Sequence, residues 1–158
     1  MTTLDSTFVF KERPKPCPGD LRISWRVSSI LLILRHSRGQ RASFAKLHVL
    51  NDALRSESSR KKLEAILDGE VPVLAWRLRV EPAFSRALEF VVGEGFADWS
   101  ASNNRATMAL TNDGKAAADS VAKLGDVFLD ELDFLKGPAT RITESFVQQM
   151  LSAGKQLL

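Results

Sequence analysis

The chain has 158 residues, 44% hydrophobic and 26% charged, which is the size and composition of one globular domain that can bury a core. Its longest strongly apolar run, residues 30–34, is far shorter than the roughly 20 residues of a membrane span, and its single cysteine, Cys17, excludes an internal disulfide or a zinc site of several cysteines. The net charge of +3 is polarised: residues 1–62 hold 13 Lys/Arg against 5 Asp/Glu and residues 63–158 hold 9 against 14, which suits a connector better than a uniformly basic DNA-wrapping protein.

Residues 1–20 are predicted to form a flexible N-terminal arm. Pro14, Pro16 and Pro18 alternate along it, which excludes a helix and favours an extended path. The apolar stretch STFVF (6–10) is either a frayed end or a strand that docks on a partner or on the chain's own sheet. No apolar signal core with a cleavage site begins the chain, so we expect a cytoplasmic protein.

Three helices are predicted next, over residues 22–36, 44–55 and 58–68. The first is apolar nearly all round, which indicates a central core helix. Residues 37–43 interrupt the pattern, and Ser43 is placed to cap the second helix.

Residues 73–80 alternate between apolar and polar side chains. Leu74, Trp76, Leu78 and Val80 fall on one side and Arg77 and Arg79 on the other, which predicts a strand with one buried face. Pro82 then favours the first turn of a helix that runs to about residue 92.

A β-hairpin is predicted between residues 96 and 110, with its turn at residues 102–104. Thr111 follows as a helix N-cap, and the small residue Gly114 allows that helix to approach the hairpin.

The last part of the chain, residues 123–158, is predicted to hold two helices used for docking or dimerisation. Their apolar stripes supply the candidate partner-binding residues Phe128, Leu132, Phe146 and Met150. Packing of these side chains in the chain's own core remains an alternative.

The segment FSRALEFVVGEGFADW, followed by ATMALTNDGKAAAD, resembles the pattern of winged-helix proteins, in which a helix leads to two wing strands and then to Leu-Thr-x-x-Gly-Lys/Arg. The expected fold is therefore α+β and mostly helical: a winged helix-turn-helix over residues 21–122 with extra C-terminal helices.

The helix before the hairpin is a weak candidate for reading the major groove of DNA. It offers one cation, Arg86, beside several carboxylates, whereas DNA affinity depends mainly on phosphate contacts. The remaining candidate nucleic-acid contacts are spread over other segments: Arg35, Arg38, Arg41, Lys46, Asn104 and Arg105. A solvated face, backbone phosphate binding and an acidic partner surface all remain open for the basic residues.

The stretch ILLILRHSRGQRASFAKLHVLNDALRS, taken with the helix and hairpin after it, resembles the small middle component of bacterial three-component ABC-ATPase systems, the group that includes Lamassu-type anti-phage defence. The resemblance spans residues 22–120. It implies a non-enzymatic winged-helix subunit that binds an SMC-like ATPase and helps to assemble or restrain a nuclease-type effector. Lys46, Leu47, His48 and Asn51 match the family's second helix, so His48 and Asn51 are either partner contacts or internal hydrogen-bonding residues.

No catalytic, cofactor-binding or metal-binding residues are predicted. Cys17 lies in the proline-rich arm, and the two histidines, His36 and His48, lack carboxylates at metal-ligand spacing. The preferred function is thus a non-catalytic accessory subunit, with DNA backbone contact and a second copy of the chain left open as additional partners and no membrane. The alternative is a DNA-binding transcriptional regulator of the winged-helix type.

Overall fold

The computed structural model describes residues 22–155. In chain order its elements are α1 (Ile23–His36), β1 (Arg41–Ser43), α2 (Phe44–Leu54), α3 (Glu57–Leu67), α4 (Pro82–Gly93), β2 (Ala97–Ser102), β3 (Arg105–Leu110), α5 (Asn112–Ala122), α6 (Leu129–Lys136) and α7 (Glu144–Lys155). The expectation of a mostly helical α+β fold is confirmed. No helix in this part of the chain is long and apolar enough to cross a membrane. The predicted arm of residues 1–20, its STFVF stretch and Cys17 lie outside the described residues.

Helix α1 is the central helix, as its sequence predicts. Residues 30–34 are all buried, and the helix contacts α2, α4, α5 and α6. It ends at His36 because Ser37 is extended and the next turn places Gly39 and Gln40 at positive φ, which a continuing helix does not allow.

Strand β1 is the element that the sequence did not predict. It pairs antiparallel with β3, Ala42 opposite Met108, and β3 pairs on its other side with β2, so the sheet order is β1-β3-β2. A three-residue strand is too short to show periodicity, and only its pairing with a distant hairpin defines it.

The predicted hairpin is confirmed, with Ser102 paired to Arg105 across a two-residue turn. Asn103 and Asn104 both have positive φ, 51° and 59°. Such turns match the twist of the strands, and asparagine tolerates this backbone region better than most residues.

Two hydrogen bonds of Thr111 fix the N-terminus of α5 next to the hairpin. Thr111 Oγ1 accepts a hydrogen bond from the Gly114 N–H (3.1 Å) and donates one to the Gly95 carbonyl (2.6 Å). A Cβ on Gly114 would overlap the carbonyl oxygen of Phe96, so the predicted need for a small residue is confirmed.

The strand predicted over residues 73–80 is not present. The backbone forms a 3-10 turn at Val73–Ala75 and then runs without regular structure to α4. Trp76 and Leu78 pack against the core while Arg77 and Arg79 are exposed, but Leu74 and Val80, which were predicted on the buried face, are 46% and 64% exposed, so the alternation is right for only half of that face. No strand of residues 22–155 pairs with this segment; the Arg79 N–H instead points at the Asp52 carboxylate, 3.5 Å away.

The C-terminal helices α6 and α7 pack on the same core as α1 and α2. The second of the two helices predicted within residues 123–158 begins only at Glu144, because Pro138–Arg141 forms a 3-10 turn before it.

Candidate functional site

The exposed side of α4 combines one cation with carboxylates and an aromatic ring. Phe84, Ala87, Leu88 and Val91 face the core, which leaves Arg86, Glu89 and Phe90 exposed. Phe90 keeps 46% of its surface exposed. This face carries little positive charge with which to attract a phosphate backbone.

A row of aromatic rings connects the outer face of the hairpin to the core. The ring centroids of Trp99 and Phe44 are 6.3 Å apart, and those of Phe44 and His48 are 4.3 Å apart. The His48 centroid lies 4.8 Å from that of the buried Phe84. Trp99 and Phe44 are 37% and 38% exposed, so the outer end of this row presents two adjacent aromatic rings to solvent.

His48 and Asn51, the predicted pair on the second helix, are both buried. Within residues 22–155 neither ring nitrogen of His48, nor either polar atom of the Asn51 amide, has a hydrogen-bond partner. Burial lowers the pKa of His48, although the nearby backbone of Arg79 and the negative charge of Glu81 oppose that change. Neither side chain reaches the surface in this conformation, and the backbone of Arg79, in the loop before α4, lies close enough to His48 to affect its pKa.

The predicted nucleic-acid contacts separate into two groups in space. Arg35 is engaged with Asp119 of α5 at 2.9 Å, and Arg86 lies on α4. Arg38, Arg41, Lys46 and Arg105 line one cleft, whose mouth also includes Asn103 of the hairpin turn, next to the exposed Asn104.

This basic cleft, of about 740 Å³, lies between the end of α1, β1, the start of α2, the hairpin and the start of α7. Its lining carries those four cations and one carboxylate, Glu144. The N-termini of α2 and α7 both meet it, capped by Ser43 and Thr143, whose hydroxyl oxygens accept hydrogen bonds from the N–H groups of Lys46 and Phe146. Helix N-termini carry partial positive charge, which adds to that of the cations.

The Glu144 carboxylate lies among these positive groups. Its Oε1 accepts a hydrogen bond from the Ser43 N–H (2.9 Å), and its Oε2 lies 3.9 Å from an Arg105 nitrogen. Lys46 is only 7% exposed, and among the described residues its ammonium forms no hydrogen bond or close ion pair. Burial therefore lowers the pKa of Lys46, and the charge of Glu144 offsets this only in part.

The predicted partner-binding residues of the C-terminal helices lie in the chain's own core. Phe128, Leu132 and Met150 are buried, and Phe146 is partly buried against the same cluster. Binding of a partner by these four side chains stays a prediction, and it would require α6 and α7 to move away from the core. The exposed apolar residues nearby are Leu124, Val127 and Leu129.

Sequence reasoning missed Glu144 and the buried ion pair of Arg26 with Glu81. Arg26, 2% exposed, donates to Glu81 Oε1 at 2.6 Å, across 55 residues of sequence. The sequence signal for this ion pair was a single arginine on the apolar stretch of the first helix, because a buried cation requires an anionic partner.

Comparison with protein-family models, with curated proteins and with solved structures gives no match for this chain. Residues 22–155 contain no group of three or more His, Cys, Asp or Glu side chains that could hold a metal ion.

Proposed function

We propose that this chain is a non-catalytic winged-helix subunit that binds a partner protein through α4 and the adjoining hairpin. The sheet order β1-β3-β2 and the position of α4 directly before the hairpin are the features that support a winged helix. From the resemblance of residues 22–120 we further propose that the partner is an SMC-like ABC ATPase in an anti-phage defence complex with a nuclease-type effector.

The observation that carries this proposal is the exposed face of α4. In a DNA-reading winged helix this position contacts base edges and is flanked by phosphate contacts. Here Phe90 is half exposed, with Glu89 beside it and Glu94 just beyond the helix. Aromatic residues are typical anchors of protein interfaces, and carboxylates repel phosphate.

The test is a tagged pull-down from the native host, with and without nuclease, comparing wild type with Phe90→Glu. A stoichiometric coiled-coil ATPase that survives nuclease treatment and is lost from Phe90→Glu supports the proposal. Leu124→Glu is the matched control, because it adds the same charge at another exposed apolar residue and should retain the ATPase. Recovery of no ATPase, or equal recovery by both variants, contradicts the proposal.

The transcriptional regulator remains a second candidate, favoured by the cations that converge on the basic cleft beside the hairpin. It predicts salt-sensitive binding to a palindromic duplex. Arg86→Ala and Arg105→Ala should both weaken that binding; an unchanged affinity in Arg86→Ala would exclude a reading role for α4.

A further inference from the structure

We propose that the basic cleft is a phosphate-binding site and that Glu144 occupies it as an internal competitor. The proposal does not rest on the function of α4, because the cleft is built from other elements: β1, the start of α2, the hairpin and the start of α7. In this proposal α7 packs on the core and also supplies the competing carboxylate, because Glu144 is the first residue of that helix.

The charge balance of the cleft favours a ligand more negative than a carboxylate. Among residues 22–155 its lining holds four cations and a single carboxylate, Glu144, which leaves a surplus of positive charge in this part of the chain. Phosphate oxygens accept hydrogen bonds from helix N-termini and from arginine in the way the Glu144 carboxylate does here.

The burial of Lys46 is a second observation that favours an anion in the cleft. A side chain this deeply buried ordinarily has a hydrogen-bonded counter-ion, because leaving the ammonium charge without one costs free energy. Within residues 22–155 Lys46 has none closer than the 4 Å limit of an ion pair, yet it lines the cleft together with Arg105 and the N-terminus of α2. A phosphate group in the cleft would supply the counter-ion.

Glu144 sits where one of the phosphate oxygens would bind. Glu144 accepts a hydrogen bond from the N–H of Ser43, the N-cap residue of α2, and N–H groups at a helix start are the kind of donor that anion sites use. The other carboxylate oxygen of Glu144 lies 3.9 Å from an Arg105 nitrogen, a long distance for an ion pair, so this contact restrains the side chain only weakly. Displacing its side chain requires rotation at the start of α7 and leaves the core face of that helix in place.

The test measures binding by fluorescence anisotropy at a fixed ionic strength of about 0.1 M, since phosphate contacts depend on salt. The labelled probe is a fluorescein-tagged DNA duplex of arbitrary sequence. Inorganic pyrophosphate is added as an unlabelled competitor and is also titrated directly by isothermal titration calorimetry. Glu144→Gln keeps an oxygen that can accept from the Ser43 N–H but removes the charge, so it should bind about tenfold more tightly than wild type. Glu131→Gln, which makes the same charge change on α6 outside the cleft, should alter binding far less.

Removal of the cations should act in the opposite direction. Lys46→Met should weaken binding by about tenfold. Because Lys46 is buried, Arg105→Gln provides a second variant at a more accessible position, and the same loss is expected. Lys123→Met, exposed and outside the cleft, is the control for overall charge.

The two probes distinguish the sources of phosphate. If the duplex binds Glu144→Gln more tightly and the cation variants more weakly, and pyrophosphate displaces it poorly, the ligand is a nucleic-acid backbone. If pyrophosphate shows these changes in affinity and the duplex does not bind, the ligand is a free phosphate compound. Equal binding by Glu144→Gln and Glu131→Gln overturns the proposal, as does unchanged binding in Arg105→Gln. Failure to recover an ATPase in the pull-down, which would contradict the role proposed for α4, leaves the proposal for the cleft unaffected.

Discussion

His48 is a buried imidazole with no hydrogen-bond partner within residues 22–155, held between the rings of Phe44 and Phe84. Its burial has a thermodynamic consequence, because the charged form of the ring is disfavoured in the folded state. Its position in this fold is that of a core side chain.

The free energy of unfolding should fall as the pH decreases from about 6.5, the ordinary pKa of histidine, towards the lower pKa of His48 in the folded chain. Between these two values the unfolded chain binds more protons than the folded one, so acidification favours unfolding; above about 6.5 His48 contributes no slope. Urea unfolding between pH 5 and pH 8 measures this, with His48→Leu as the comparison. Asp52, whose pKa burial raises, has the opposite effect nearer pH 4 and is common to both proteins. Equal slopes in the two proteins would contradict the prediction.

Gly114 is the residue at which the approach of α5 to the hairpin leaves no room for a side chain. Gly114→Ala should lower the free energy of unfolding by about 1–3 kcal/mol, because its Cβ would overlap the backbone carbonyl of Phe96 and that carbonyl cannot rotate away. Gly154→Ala, in a helix with nothing within 4 Å of the added carbon, should change it by no more than about 0.5 kcal/mol. Denaturant unfolding of both variants provides the measurement.

At the scale of elements, two carboxylates contact the irregular segment between the 3-10 turn at Val73–Ala75 and α4: Asp52, which faces the Arg79 N–H, and Glu81. Glu81, the residue before α4, binds the buried Arg26 of α1, and its other oxygen lies 4.0 Å from Arg55. This contact replaces the ladder hydrogen bonds that the predicted strand would have made. It also explains how a chain with strand-like alternation is held against helices.

Glu81→Gln should destabilise the fold by about 3 kcal/mol, because it leaves the Arg26 guanidinium buried without its counter-charge. Glu94→Gln, exposed just after α4, is the control and should change stability by less than about 0.5 kcal/mol. Both values come from urea unfolding at neutral pH. Equal stability of the two variants would mean that the ion pair contributes nothing net.

At the scale of the whole molecule, the C-terminal helices complete the core that α1 begins. The apolar stripes of α6 and α7 are buried against the rest of the fold, with Leu135, Ile142 and Val147 among the least exposed side chains. A role for these helices in docking or dimerisation stays a prediction, and any such contact in this conformation would use their exposed faces.

A chain that ends at residue 125 should lose its cooperative thermal unfolding transition, because removing α6 and α7 uncovers the buried faces of α1 and α2. Full-length Leu129→Ser, altered at an exposed position of α6, should unfold like wild type. Thermal melting followed by circular dichroism distinguishes the two. A truncated chain that melts cooperatively at the wild-type temperature would show that the C-terminal helices are not needed for the core.

The sequence by itself determined the central helix, the hairpin with its asparagine turn, the Thr111 cap and the tight packing at Gly114. Each of these is encoded locally: by apolar spacing, by residues that tolerate positive φ, or by a hydroxyl three residues from the N–H it caps. The tertiary structure alone decided the pairing of β1, the absence of the strand predicted over residues 73–80 and the burial of His48, Asn51 and Phe128. It also brought Glu144 to the start of α2, 101 residues away in sequence. The physical reason is that periodicity specifies which face of an element is apolar, whereas the partner that covers the face, and the charges that meet at its edge, depend on how distant elements pack.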